Sequence, residues 1–280
     1  MSKFVKSNGI RLHFLEFEGN APRILFTHGL TANAHCFDGL LGAGLKDFSH
    51  FISVDLRGRG LSDKPDQGYT MADHAQDIVG LMDALDIQKI VLGGHSFGAL
   101  LSLYMASHYP NRVDKLILID AAAQMHPDTR ELLKPTLGRL GQEVDSFEAY
   151  IEKVKGLPFL ENAWDEAMLS FYQADLEALE NGKYLPRPQA AHMGLAVEGA
   201  LGEPWLDYIK GVSQPSILLN ATGAYGAEGT PPLLPKELAL ETVNMMQNCQ
   251  YFEIRGNHQT MLYGPGAQDI MAAINDFLAD

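Results

Sequence analysis

The chain has 280 residues, 46% of them hydrophobic and 20% charged, with a formal net charge of −14. That length suits one core carrying a smaller inserted unit, and the charge argues against nucleic acid and anionic membrane surfaces as partners. Two cysteines, Cys36 and Cys249, are too few for a disulfide framework and are not spaced as metal ligands, so no metal or other cofactor is expected.

The chain begins Met1-Ser2-Lys3-Phe4-Val5-Lys6, without the apolar run of a signal peptide, and no segment has the length to span a membrane. A reducing cytoplasm is the expected location and a small molecule the expected partner; the oligomeric state stays open. Residues 3–18 read as a hairpin turned at Asn8-Gly9. Arg23 to Thr27 is a short apolar strand that runs into His28-Gly29-Leu30-Thr31. Phe51 to Val54 is the next, running into Asp55-Leu56-Arg57-Gly58-Arg59-Gly60. Thr70 and Asp73 start a helix whose apolar face is Ile78, Leu81, Met82 and Leu85. Strand 89–92, a glycine-rich turn and helix 97–109 follow, and Lys115 to Ile119 is a further buried strand ending at Asp120. Such continuous apolar runs, separated by helices, imply a mostly parallel sheet covered on both faces, with its chemistry at the carboxyl ends of the strands.

From Gln124 to Lys210 no strand is convincing; helices are expected near 128–140, 145–155, 161–181 and 188–200. The expected division is therefore a core of residues 1–123 and 211–280 with an inserted helical unit of 124–210. Strand 216–220, a helix near 235–248, strand 251–254, His258 and a helix near 267–278 complete the chain.

The stretch Gly94-His95-Ser96-Phe97-Gly98 reads G-x-S-x-G between a strand and a helix. A sharp turn there holds a serine in a strained conformation with its hydroxyl exposed, and the glycines avoid clashes. The following helix aims free N–H groups at the same point, where an oxygen becomes negative during acyl transfer. A serine hydroxyl needs a base, and histidine suits that task near neutral pH.

With His28-Gly29, the Asp55–Gly60 stretch, the turn at Ser96 and Gly256-Asn257-His258 in this order and spacing, the chain resembles the α/β-hydrolase fold family from His28 to the C-terminus, and 124–210 looks like that family's helical cap. The resemblance implies Ser96 as nucleophile, His258 as base, and the backbone N–H groups of Leu30 and Phe97 as oxyanion donors. It implies structural roles for His28, Asp55 and Arg57. Members usually carry the acid after the strand that follows the cap; that region here holds Gly226 at the expected place. Asp120, after the earlier strand, is the favoured acid, and Glu228 the alternative.

A serine in the turn argues against relatives that use Asp there, the haloalkane dehalogenases and epoxide hydrolases. What remains is cleavage of a small ester, lactone or amide through an acyl-enzyme. A carbon–carbon hydrolase, a lyase or cofactor-free oxygenase, and a slow-turnover receptor stand as alternatives on the same scaffold. The Asp120 arrangement also resembles hydrolases of small amides of dicarboxylic acids, which would need a cation in the pocket; Arg130, Arg139 and Arg187 are candidates, with Lys134, Lys153, Lys155 and Lys183. His28, His95, Gln124, Trp164, Tyr172 and His192 are candidate pocket residues, beside Met168, Phe171 and Met193.

Overall fold

A computed structural model describes residues 1–160, 163–227 and 229–279. Eight strands form one sheet: β1 (Ser2–Ser7), β2 (Ile10–Phe17), β3 (Arg23–Thr27), β4 (His50–Val54), β5 (Ile90–His95), β6 (Val113–Ile119), β9 (Ser216–Ala221) and β10 (Cys249–Ile254). Their order is β1-β2-β4-β3-β5-β6-β9-β10. The hairpin turned at Asn8-Gly9 adds antiparallel to the β4 edge, and every pair from β4 to β10 is parallel.

The apolar runs are continuous because successive side chains enter different cores. Leu116 and Leu118 of β6 pack into one, Ile117 and Ile119 into the other, and all four are fully buried. Helices α1 (Met71–Ala84) and α2 (Phe97–His108) cover the first face, and α8 (Gly264–Ala279) covers the second. The expected capping box starts α1: Asp73 N–H donates to the Thr70 hydroxyl, and Thr70 N–H donates back to the Asp73 carboxylate.

The chain leaves β3 toward β4 and returns to β5 on the other side of β3. The carboxyl ends of β3 and β5 therefore flank the crevice where chain direction switches, and this brings His28 to Thr31 beside Ser96.

The segment between β6 and β9 holds helices α3 (Phe147–Lys155), α4 (Ala167–Asp175), α5 (Ala190–Leu201) and α6 (Trp205–Gly211), with short helical turns at Thr129–Leu132 and Lys134–Gly138. One expectation fails there. The helix expected over 161–181 stops at Asp175, and β7 (Leu176–Ala178) pairs antiparallel with β8 (Tyr184–Pro186) across a turn containing Asn181-Gly182. Helix α7 (Lys236–Met245) precedes β10. No helix among the described residues is long and apolar enough to cross a membrane, and Cys36 and Cys249 are both free thiols.

Candidate active site

Ser96 stands alone between the end of β5 and the start of α2, with φ 55° and ψ −117°. A non-glycine residue held there costs about 1–3 kcal/mol, which the packed strand and helix must hold against. The close approach explains the glycines: a Cβ on Gly98 would run into the Thr27 carbonyl, and one on Gly94 into the backbone of Gly98. Phe97, first in its helix, has a backbone N–H with no intrahelical acceptor.

His258 follows β10, and its Nδ1 lies 2.6 Å from Asp120 Oδ2. An ionised carboxylate only accepts, so Nδ1 carries the proton and Nε2 is left with a lone pair. Asp120 sits at φ 52° directly after β6. Its other oxygen, Oδ1, accepts from Asn220 Nδ2 and from Ala221 N–H, both at 2.9 Å. Register sets this up, because Ile119 pairs with Leu219, so Asp120 and Asn220 emerge side by side. Glu228, the alternative acid, lies outside the described residues. Ser96 and His258 line one cavity; among the described residues no hydrogen bond joins their side chains, as is common in unliganded sites.

Two further histidines flank this pair, both neutral. His28 is fully buried. Its Nε2 accepts from Leu56 N–H (3.0 Å), so its Nδ1–H donates to the Gly29 carbonyl (2.7 Å). That carbonyl belongs to the peptide that carries the Leu30 N–H. Burial pulls the His28 pKa down to about 4, against the pull of Asp55. His95 Nε2 lies 2.8 Å from the His258 carbonyl and must donate to it. Burial, with His258 beside it, holds the His95 pKa well below the usual histidine range. His95 thus ties the His258 loop to the turn at Ser96. Asp55 also acts through structure: it accepts from Ala34 N–H (2.7 Å) and Leu61 N–H (2.8 Å) and pairs with His13 (2.7 Å).

The cavity in front of Ser96 has a volume of about 300 Å³. Of the expected pocket residues, His95, Phe171 and Tyr172 line it. His28 does not, because both its nitrogens face backbone behind the loop. Gln124 turns away from the cavity into an outer groove with His126 and Arg130. Trp164 stacks behind Tyr172, ring centroids 5.9 Å apart, and His192 stacks on Tyr69 at 4.8 Å. Of the candidate arginines, Arg130 pairs with Glu198 and Arg187 with Glu177, both away from the cavity.

Arg139 does reach it. Its Nη1 donates to Asp175 Oδ2 (2.5 Å) and its Nη2 to the Thr31 carbonyl (3.0 Å). Lys153 lines the mouth, and no carboxylate is among the described residues lining the cavity. Tyr150, Tyr225 and Asn220 escaped the sequence reading. Asn220 left a signal, a polar side chain directly after an apolar run; the two tyrosines left none.

The alpha/beta hydrolase fold model matches residues 22–209. A 2-(acetamidomethylene)succinate hydrolase of Mesorhizobium japonicum is 36% identical over 154 residues, 54% of this chain and 55% of that protein. In such matches the chain spans about half the length of the curated relatives. A haloalkane dehalogenase of the same organism is 25% identical over 91% of this chain and 81% of its own. Among solved structures, an E-2-(acetamidomethylene)succinate hydrolase superposes with a TM-score of 0.86 at 25% identity, covering 100% of this chain and 99% of its own. The match over 22–209 shows that the chain belongs to the α/β-hydrolase fold family.

Proposed function

We propose that the chain is a serine hydrolase that cleaves a small ester, lactone or amide bearing a carboxylate. The observation that carries this reading is the 2.6 Å bond between His258 Nδ1 and Asp120, with His258 and the strained Ser96 opening on one cavity. Ser96 Oγ attacks the substrate carbonyl carbon, its proton passes to His258 Nε2, and the carbonyl electron pair moves onto oxygen. The Leu30 and Phe97 N–H groups receive that oxyanion. Collapse expels the alcohol or amine, which takes the proton from His258. Water then cleaves the acyl-enzyme by the same steps, and Ser96 regains its proton.

Asp120 keeps the proton on Nδ1 and offsets the positive charge that His258 acquires. The carboxylate in the substrate is supported by the cavity wall, where Arg139 and Lys153 are the charged side chains, within a chain of net charge −14. Arg139 shares its charge with Asp175, so Lys153 at the mouth is the cation better able to meet a substrate anion. The curated relative's name, a hydrolase of 2-(acetamidomethylene)succinate, gives a substrate with an amide and carboxylates and points the same way. Here the insertion over 124–210 acts as the cap that closes the cavity.

A fluorophosphonate probe and intact-mass measurement test the reading. One adduct is expected on the wild-type protein and none on folded Ser96→Ala. Labelling that survives Ser96→Ala, or its absence from folded wild type, would remove Ser96 as the nucleophile. A screen of esters, lactones and amides, each with and without a second carboxylate, then tests the substrate class.

A further inference from the structure

Two guanidiniums, those of Arg57 and Arg59, follow β4, and Asp77 forms its ion pair with only one of them. That one is Arg57, its Nε and Nη2 forming a fork on Asp77 at 2.6 and 2.5 Å. Arg59 is 0% exposed and forms no ion pair among the described residues. Its donors go to neutral acceptors: Nε to the Leu30 carbonyl (2.8 Å), Nη1 to the Arg57 carbonyl (2.6 Å) and to His74 Nε2 (2.9 Å). Its Nη2 is buried without a partner.

His74 cannot supply the missing negative charge. Its Nδ1 lies 2.7 Å from the Thr70 carbonyl and must donate, which leaves Nε2 to accept from Arg59. Burial and the neighbouring Arg59 keep the His74 pKa well below the usual range. Burial lowers the Arg59 pKa to about 9, so at neutral pH the group remains a cation. An unpaired charge removed from water is costly, and cores rarely keep one without use.

Its location suggests the use. The guanidinium carbon lies 5.1 Å from the centroid of the Phe97 ring, and the same guanidinium holds the Leu30 carbonyl. Arg59 thus touches both residues whose N–H groups would receive the oxyanion, yet it does not line the cavity. The two peptides flanking Leu30 are both pinned. The Gly29 carbonyl accepts from His28 and from Ala32 N–H, and the Leu30 carbonyl accepts from Arg59.

We propose that Arg59 is a positioning residue for the oxyanion: its uncompensated charge, behind Leu30 and Phe97, favours negative charge on the substrate oxygen, and its Nε–H fixes the Leu30 peptide. The proposal rests on the serine-hydrolase reading above. In a low-dielectric interior a charge acts strongly over several ångströms. A neutral ground-state carbonyl gains little from it, so the effect belongs to kcat and not to KM.

His74→Glu tests the charge while leaving Arg59 and its Leu30 bond in place, because it gives the guanidinium the carboxylate it lacks. With p-nitrophenyl acetate, His74→Glu is expected to lower kcat tenfold or more with KM within threefold. Affinity for a small alkyl trifluoromethyl ketone, which binds serine as an oxyanion, should fall by a similar factor. The melting temperature should equal or exceed that of His74→Gln, the neutral control, whose kcat should stay near wild type. A purely structural Arg59 would leave kcat equal in the two His74 variants, and that result overturns the proposal.

If His74→Glu does not fold, Arg59→Lys against Arg59→Gln asks the same question. Lysine keeps the charge and loses the separate Nε and Nη1 donors; glutamine keeps a donor for Leu30 and loses the charge. The lysine variant must retain more kcat, and the reverse order sinks the idea. Fluorophosphonate labelling run alongside separates the two claims. Unlabelled wild type refutes the serine-hydrolase reading, whereas normal labelling with kcat indifferent to His74→Glu refutes only the role of Arg59.

Discussion

The Asp120 carboxylate divides its two oxygens between different tasks. Oδ2 meets His258, and Oδ1 is held by two donors, Asn220 Nδ2 and Ala221 N–H. An amide in its place would keep its oxygen on those donors and turn its NH₂ toward His258. The imidazole proton would then move to Nε2, the nitrogen that takes the serine proton in the proposed mechanism. Asp120→Asn is therefore expected to fold and to slow fluorophosphonate labelling by roughly 10³–10⁴-fold. A rate within tenfold of wild type would move the acid elsewhere, with Glu228 the next position to change. Ser96 and His258 were legible because each sits in a short motif. Asp120 was legible as a strand-end carboxylate. The support from Asn220 was not, since it arises from register between strands a hundred residues apart.

At the scale of elements, the site depends on how closely β3, β5 and α2 approach. Gly98 lies against the Thr27 carbonyl, and neither backbone can give way without opening the sheet or tilting α2. Gly98→Ala should cost on the order of 3 kcal/mol, read as a lower urea midpoint, and should abolish labelling of Ser96. Thr70→Ala removes only an exposed side-chain cap of α1, and should cost about 1 kcal/mol and leave labelling unchanged. Equal effects of the two would mean that the contact between Gly98 and Thr27 is not specially tight. Long apolar strands and capped helices were readable because their patterns repeat over many residues. The hairpin of β7 and β8 was not. Its strands have three residues each, Leu176-Glu177-Ala178 and Tyr184-Leu185-Pro186, too few for alternation to declare itself. Its turn pair Asn181-Gly182 matches Asn8-Gly9, but only at Asn8-Gly9 do long flanking strands make the pair informative. Cavity-lining residues such as Tyr150 and Tyr225 were illegible for a related reason. An aromatic that faces a cavity and one that fills a core have the same local sequence.

For the whole molecule, buried histidines make stability depend on acidity. Burial holds His28, His74 and His95 neutral in the folded state, His28 with a pKa of about 4. In the unfolded chain each titrates near the ordinary histidine value of about 6.5. Between those values the unfolded state binds more protons, so stability is complete above about pH 6.5 and is lost as pH falls toward 4. His28 alone should remove about 2 kcal/mol on going from pH 7.5 to pH 5. His35 works in the opposite sense: burial lowers its pKa, but the bond to Asp38 outweighs this and raises it; that group is only partly buried, so its contribution is smaller. Acidification also relieves repulsion within a chain of net charge −14, which again opposes the loss. The comparison that isolates the histidine is His28→Asn, which keeps a donor for the Gly29 carbonyl and cannot titrate. Urea unfolding at pH 7.5 and 5 should show a smaller loss for His28→Asn than for wild type, by about 2 kcal/mol. Equal losses in the two proteins would mean that His28 takes up its proton in the folded state, and its bond from Leu56 N–H could not then persist at pH 5.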